Sequence, residues 1–181
     1  MKKTLALVLA LVLCLGAVSA LADTYGMGIV TSIGSSKDAS VVDGDAYDGT
    51  AQVDSTIVSV VLDDEGNIIN IEIDVAQTKV GFSPEGAITA DKTAEIKSKK
   101  ELGEDYGMRG ASPIGAELFE QLEAFEAYCI GKSAQEIIDM PTYAANDNHP
   151  RVSDVADLKT SVTIDVGSIL DALAKAVANA K

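Results

Sequence analysis

The chain has 181 residues, with 28 Asp and Glu against 14 Lys and Arg, for a net charge of −14. So negative a surface repels nucleic-acid phosphates and anionic lipid, which argues against both as partners. His149 is the only histidine and there is no tryptophan, so neither a His-rich metal centre nor a hydrolase triad finds support.

Residues 1–22 read as a secretory signal peptide. Lys2 and Lys3 form a positive start, Leu5 to Leu15 is an apolar run too short to span a bilayer, and Ala20-Leu21-Ala22 ends in small residues. Cleavage is expected before Asp23, with cleavage after Ala20 as the alternative. Cys14 follows Leu13, where lipid attachment requires a small residue, so it is not read as a lipoprotein site. Removing 22 residues and two lysines leaves 159 residues with 12 basic and 28 acidic groups, a net charge of −16. That length, 23–181, suits one secreted domain with a full core and no stable membrane span after cleavage. Cys129 is then a lone thiol among apolar helix positions, expected to be buried and inert.

Tyr25 to Ile33 alternates glycines with apolar residues and reads as a first strand. Ser35 to Gly49 is polar and rich in Asp, Ser and Gly, an expected loop. The next segment predicts a β-hairpin. Val53 to Leu62 is rich in β-branched residues, Asp63-Asp64-Glu65-Gly66-Asn67 supplies the turn, and Ile69, Ile71, Ile73 and Val75 alternate with Asn70, Glu72 and Asp74.

Ser112-Pro113 is expected to start a helix. Ile114, Leu118, Leu122, Phe125 and Cys129 form its apolar stripe, while Glu117, Glu120, Glu123 and Glu126 are expected on a solvated face. Gly131 ends it, and Ser133 with Glu136 predicts a capping box for a short helix through Ile138. Thr142 to Ser153, with Asn148-His149-Pro150, reads as a loop. Leu158 to Ile164 reads as a last strand, and Val166, Ile169, Leu170, Leu173 and Val177 give a final helix its apolar face. The order predicts an α+β domain: a mainly antiparallel sheet with a β-hairpin, a mid-chain helix pair and a C-terminal helix. A YGM(x)₅IG pattern occurs twice, from Tyr25 and from Tyr106, leading into a strand and a helix respectively.

Candidate chemistry is sparse. Asp43, Asp45 and Asp48 in DGDAYDG resemble the opening of a calcium loop, but their spacing is not that of an EF-hand and no bidentate acid follows, so a solvated turn is expected. His149 is expected to be a loop residue. Asp157-Leu158-Lys159-Thr160-Ser161-Val162-Thr163, followed by an amphipathic helix, is the most suggestive stretch. It resembles the extracytoplasmic FMN-binding domain family, the flavinylated domains of bacterial electron carriers. There an Asp, two variable residues and Ser/Thr-Gly-Ala-Thr precede a C-terminal helix. Tyr47-Asp48-Gly49-Thr50-Ala51 and the hairpin to Val75 are similar to the family's opening.

The resemblance implies Asp157, Thr160, Ser161, Val162 and Thr163 as the cofactor-binding set, with FMN as cofactor and Thr163 as its phosphoester acceptor. It further implies a flavin transferase and a redox partner, and a carrier rather than a stand-alone enzyme. The family's Gly and Ala are here Ser161 and Val162, which makes the attachment motif degenerate. Non-covalent flavin or another small-molecule ligand therefore stays open. So does a flavin-free extracellular binding or structural module that keeps only the fold, in which Thr163 is a plain structural residue.

Overall fold

The computed structural model describes residues 23–181; the expected signal peptide, 1–22, lies outside the described residues. Strand β1 runs Thr24–Ser32, and the short β2 (Ser40–Val42) and β3 (Asp45–Tyr47) pair across a turn at Asp43 and Gly44, both at positive φ. The expected Ser35–Gly49 loop is thus an exposed hairpin with Asp-Gly at its tip. β4 (Gly49–Leu62) and β5 (Ile68–Phe82) follow, then helix α1 (Lys99–Leu102) and a 3-10 turn (Gly103–Tyr106). Helices α2 (Leu118–Cys129) and α3 (Ala134–Ile138) form the mid-chain pair. The short β6 (Thr142–Tyr143) and β7 (Val152–Ser153) pair, a 3-10 turn covers Ala156–Leu158, and α4 (Gly167–Ala178) ends the order. This is an α+β domain whose main sheet is antiparallel, in the order β1-β4-β5.

The hairpin β4–β5 forms because its turn closes on its own side chains. Asp63 Oδ1 accepts from the backbone N–H groups of Glu65 and Asn67, and Gly66 takes φ 81°. Val58, Val60 and Leu62 on β4 and Ile71 and Ile73 on β5 point to the core face, all buried. The alternation does not run unbroken: Val61 opposes Asn70 but Leu62 opposes Ile68. That bulge turns Ile68 inward, fully buried, and leaves Ile69 44% exposed, correcting its place in the expected apolar row.

α4 lies directly on β1. A Cβ at Gly26 would collide with Ala176 O, and one at Gly28 with Ala172 O. The same helix end covers the free edge of β1. Lys175 Nζ donates to Ile29 O, Asn179 Nδ2 to Met27 O, and Tyr25 and Lys181 exchange backbone hydrogen bonds. On the far edge of the sheet, Glu126 Oε1 on α2 accepts from Ile73 N at 2.6 Å and from Lys100 Nζ at 2.8 Å.

Four other expectations are corrected. α2 begins at Leu118, not at Ser112-Pro113: Gly115 at φ 66° breaks the chain there, and Glu117 is the N-cap. Its glutamates are not one solvated face, since Glu117 is 1% exposed and Glu126 is half-buried against the sheet. Ser133 does cap α3 in backbone geometry, but its side chain makes no capping hydrogen bond. Finally, Leu158–Ile164 is not a strand. Val162 N donates to Leu158 O at 2.8 Å, a helical-turn spacing, and Leu158 and Val162 are both buried. The β-branched residues there fill the core from one side of a turn rather than alternating across a sheet.

The seating of α4 on bare glycine predicts a sharp steric result. Gly28→Ala should destabilise the domain by about 3 kcal/mol, a fall in Tm of roughly 10 °C, because the obstruction is a helix carbonyl that cannot move alone. Gly110→Ala, with nothing within 4 Å of the added carbon, should leave Tm within a degree or two by calorimetry.

Candidate functional site

Two polar residues of α2 stand where its apolar stripe would continue. Glu117 and Gln121 are one helical turn apart and 1% and 0% exposed. The Glu117 carboxylate accepts the backbone N–H groups of Met108 and Arg109, at 2.8 and 2.7 Å. Gln121 Oε1 accepts Thr163 N at 2.8 Å and lies 3.3 Å from the Thr163 hydroxyl that donates to it, while Gln121 Nε2 donates to Ser112 Oγ and Ala116 O. One helix face therefore holds two segments that are distant in sequence: the second YGM copy, Tyr106 to Met108, and the turn that carries Thr163. Buried polar groups survive only when bonded in this way, and no buried side-chain polar atom among the described residues lacks a partner.

The turn itself comes from local bonding. After the 3-10 turn, Ser161 N and Val162 N both return to Leu158 O, and the chain straightens at Thr163 before Asp165 Oδ1 accepts Gly167 N at the start of α4. Asp165 Oδ2 accepts Arg151 N, which ties β7 to the same turn.

Two clefts meet at Thr163. The first, about 340 Å³, is mixed in character, with the Lys159–Asp154 pair, Ser153 and Tyr143 lining it beside Val162 and Thr163. The second, about 370 Å³, is walled mainly by apolar groups, among them Met108, Ala111, Pro113 and Ile164, and His149, Asn146 and Thr163 also line it. A third, about 290 Å³, continues past Met108, His149 and Ile164 towards Lys99, Tyr106 and Ser168. The first two have volumes at the low end of the ~300–1,000 Å³ found for small-molecule sites.

Of the residues expected from the sequence, Val162 and Thr163 reach a cleft, and only Thr163 borders both of the first two. Asp157 and Thr160 are exposed on the outer side of the turn and line none of these clefts. Ser161 is half-buried with its hydroxyl directed to Leu158 O. Val162, 1% exposed, faces the core as well as the cleft wall, so the position where the related pattern has a small residue is filled by packing. His149, expected as a plain loop residue, stands at the border of the second and third clefts. Gln121 and Glu117 escaped the sequence reading, although a polar residue at a stripe position, four before Phe125 in the case of Gln121, is the pattern a buried polar anchor leaves.

Lys159 pairs with Asp154 at 3.0 Å, with both side chains more than half exposed, so this ion pair is weak and its ammonium is available to an anion. Asp43, Asp45 and Asp48 lie in the outer hairpin region, remote in the chain from this groove. No group of three or more His, Cys, Asp or Glu side chains able to hold a metal ion is found among the described residues. Cys129 is buried on α2, and burial pushes its thiol up to about 12, as the inert reading requires.

An α+β domain with an anchored threonine between a mixed and an apolar cleft is thus defined by its own geometry. The chain is 30% identical over 95 residues to a chlorophenol reductase of Desulfitobacterium hafniense, an alignment covering 46% of this chain and 29% of that protein. The chain thus spans less than a third of the length of that relative. No family model and no solved structure matches the chain.

Gln121→Leu should leave Thr163 N without its acceptor and lower stability by about 1–3 kcal/mol, whereas Gln135→Leu on the exposed side of α3 should change it little; urea unfolding separates the two. Cys129 should resist alkylation at pH 8 in native protein and react at once in denaturant, a contrast that mass spectrometry reads directly.

Proposed function

We propose that this is a secreted flavin-carrying domain, an electron carrier rather than a stand-alone enzyme, with FMN held at Thr163. The observation that carries the reading is the position of Thr163 between a mixed cleft containing the Lys159–Asp154 pair and an apolar cleft walled by Met108, Pro113 and Ile164. That division suits a ligand with an anionic end and a flat apolar ring. Lys159, Ser153 and Tyr143 supply a cation and hydroxyls for a phosphate. Met108, Pro113 and Ile164 exclude water from the ring side. Gln121 holds Thr163 N, so the acceptor hydroxyl keeps one position relative to both clefts. When bound, the flavin supplies the electron transfer; the protein's part is to hold, orient and shield it, which needs no catalytic base. The relative's name, a reductase, agrees with redox chemistry. Export rests on the signal-like residues 1–22, and among the described residues no helix is long and apolar enough to cross a membrane.

A second reading has its own observation. Val162 is buried and the Thr163 hydroxyl already donates to Gln121, which favours a flavin-free binding module in which Thr163 is a structural residue.

Expression with a flavin transferase of the family tests the two. Under the flavin reading the protein fluoresces on a denaturing gel, Thr163→Ala abolishes that signal with the fold intact, and Thr163→Ser keeps part of it. If the natural protein stays dark while an authentic flavinylated domain is labelled in the same host, the flavin-free reading holds. N-terminal sequencing of the exported chain should find Asp23, or Leu21.

A further inference from the structure

We propose that His149 reads the ring of the ligand in this groove, its Nε2 offering a fixed hydrogen-bond acceptor to a ring N–H such as the imide of oxidised flavin. This inference rests on the flavin reading above. Three interactions converge on one atom. Asn146 Oδ1 accepts from Asn148 N at 2.9 Å and from His149 N at 3.1 Å, and lies 3.0 Å from His149 Nδ1. Two of these partners are backbone N–H groups, which can only donate, so the Asn146 atom must be the carbonyl oxygen and not the amide nitrogen. A carbonyl oxygen cannot donate either. Nδ1 therefore carries the hydrogen, and the neutral ring keeps its lone pair on Nε2.

The loop is built to hold that ring still. Ala145 N donates to His149 O at 3.0 Å, His149 N also returns to Asn146 O at 3.1 Å, and Pro150 restricts the chain immediately after. His149 is exposed and borders both the second and the third cleft, sharing the second with Thr163. Two of the neighbouring polar groups are occupied: Gln121 by Thr163 and Ser112, and Asp165 by Arg151 N and Gly167 N. Nε2 makes no hydrogen bond to any described residue. A positioned acceptor at the rim of a mainly apolar cleft is one arrangement by which small-molecule sites set ring orientation. Asn146 is the positioning residue behind it.

Because His149 is the only histidine, ¹⁵N-edited NMR of its ring is unambiguous. Unloaded protein should show hydrogen on Nδ1; Asn146→Ala should shift the ring towards the Nε2–H form, and Asn146→Asp, which keeps an acceptor, should restore the native pattern. In protein loaded by a co-expressed flavin transferase, the Nε2 resonance should move, and His149→Ala should alter the flavin absorbance spectrum while Thr163 stays labelled. An Nε2–H ring in the unloaded native chain overturns the inference. Flavin on Thr163 with an unmoved Nε2 resonance overturns it while the flavin reading stands. If the native chain takes up no flavin in a host that labels an authentic flavinylated domain, the two fall together.

Discussion

The approach of α4 to β1 is the constraint on which the remaining architecture depends. At Gly26 and Gly28 the strand presents backbone alone, and Ala172 and Ala176 present only methyl groups, so helix and sheet meet closer than any larger pair would allow. That depth sets where α4 starts. Gly167 is buried there under Arg151, and Asp165 bonds both Gly167 N and Arg151 N, so the turn carrying Val162 and Thr163 is placed from its helical end. The helix also covers the open edge of β1 with Lys175, Asn179 and Lys181. The fold thus closes one exposed edge with the same contact that positions the site.

The other wall of the groove is hung from α2. Glu117 and Gln121 turn buried polar groups to backbone N–H donors of two loops distant in the chain. Such bonds contribute modestly to stability when made, but leaving one partner unsatisfied is expensive. This asymmetry makes them good locators: only one arrangement of the Met108 loop and the Thr163 turn satisfies both side chains at once. The groove can therefore be lined by loops and still be held in place, as the proposed flavin site would require.

The residues of the Thr160–Thr163 stretch divide between packing and the groove. Ser161 turns its hydroxyl back to Leu158 O, and Val162 adds its side chain to the core beside Leu158 and Val166. The two residues that depart from the related pattern have been taken over by the fold, while Thr163, which matches it, is the one left facing both clefts. Burial of Val162 and exposure of Thr163 to both clefts are met one position apart.

Much was legible in the sequence, because short-range chemistry dictated it: the β-hairpin with its Asp63–Asn67 turn, the apolar stripe of α2, the amphipathic α4 and the α+β class follow from periodicity and turn residues. The inertness expected of Cys129 followed from its place in that stripe. What the sequence could not disclose was set by partners far along the chain. The bulge that swaps Ile68 for Ile69 depends on how β5 pairs with β4. The loss of the expected last strand depends on Leu158 and Val162 sharing one buried side. The burial of Glu117 and Gln121, and the meeting of Met108, His149 and Thr163, exist only once α4 has seated on β1. Local pattern decides which face of a segment is apolar; which buried polar atom finds which donor is decided only when segments far apart in the chain are brought together.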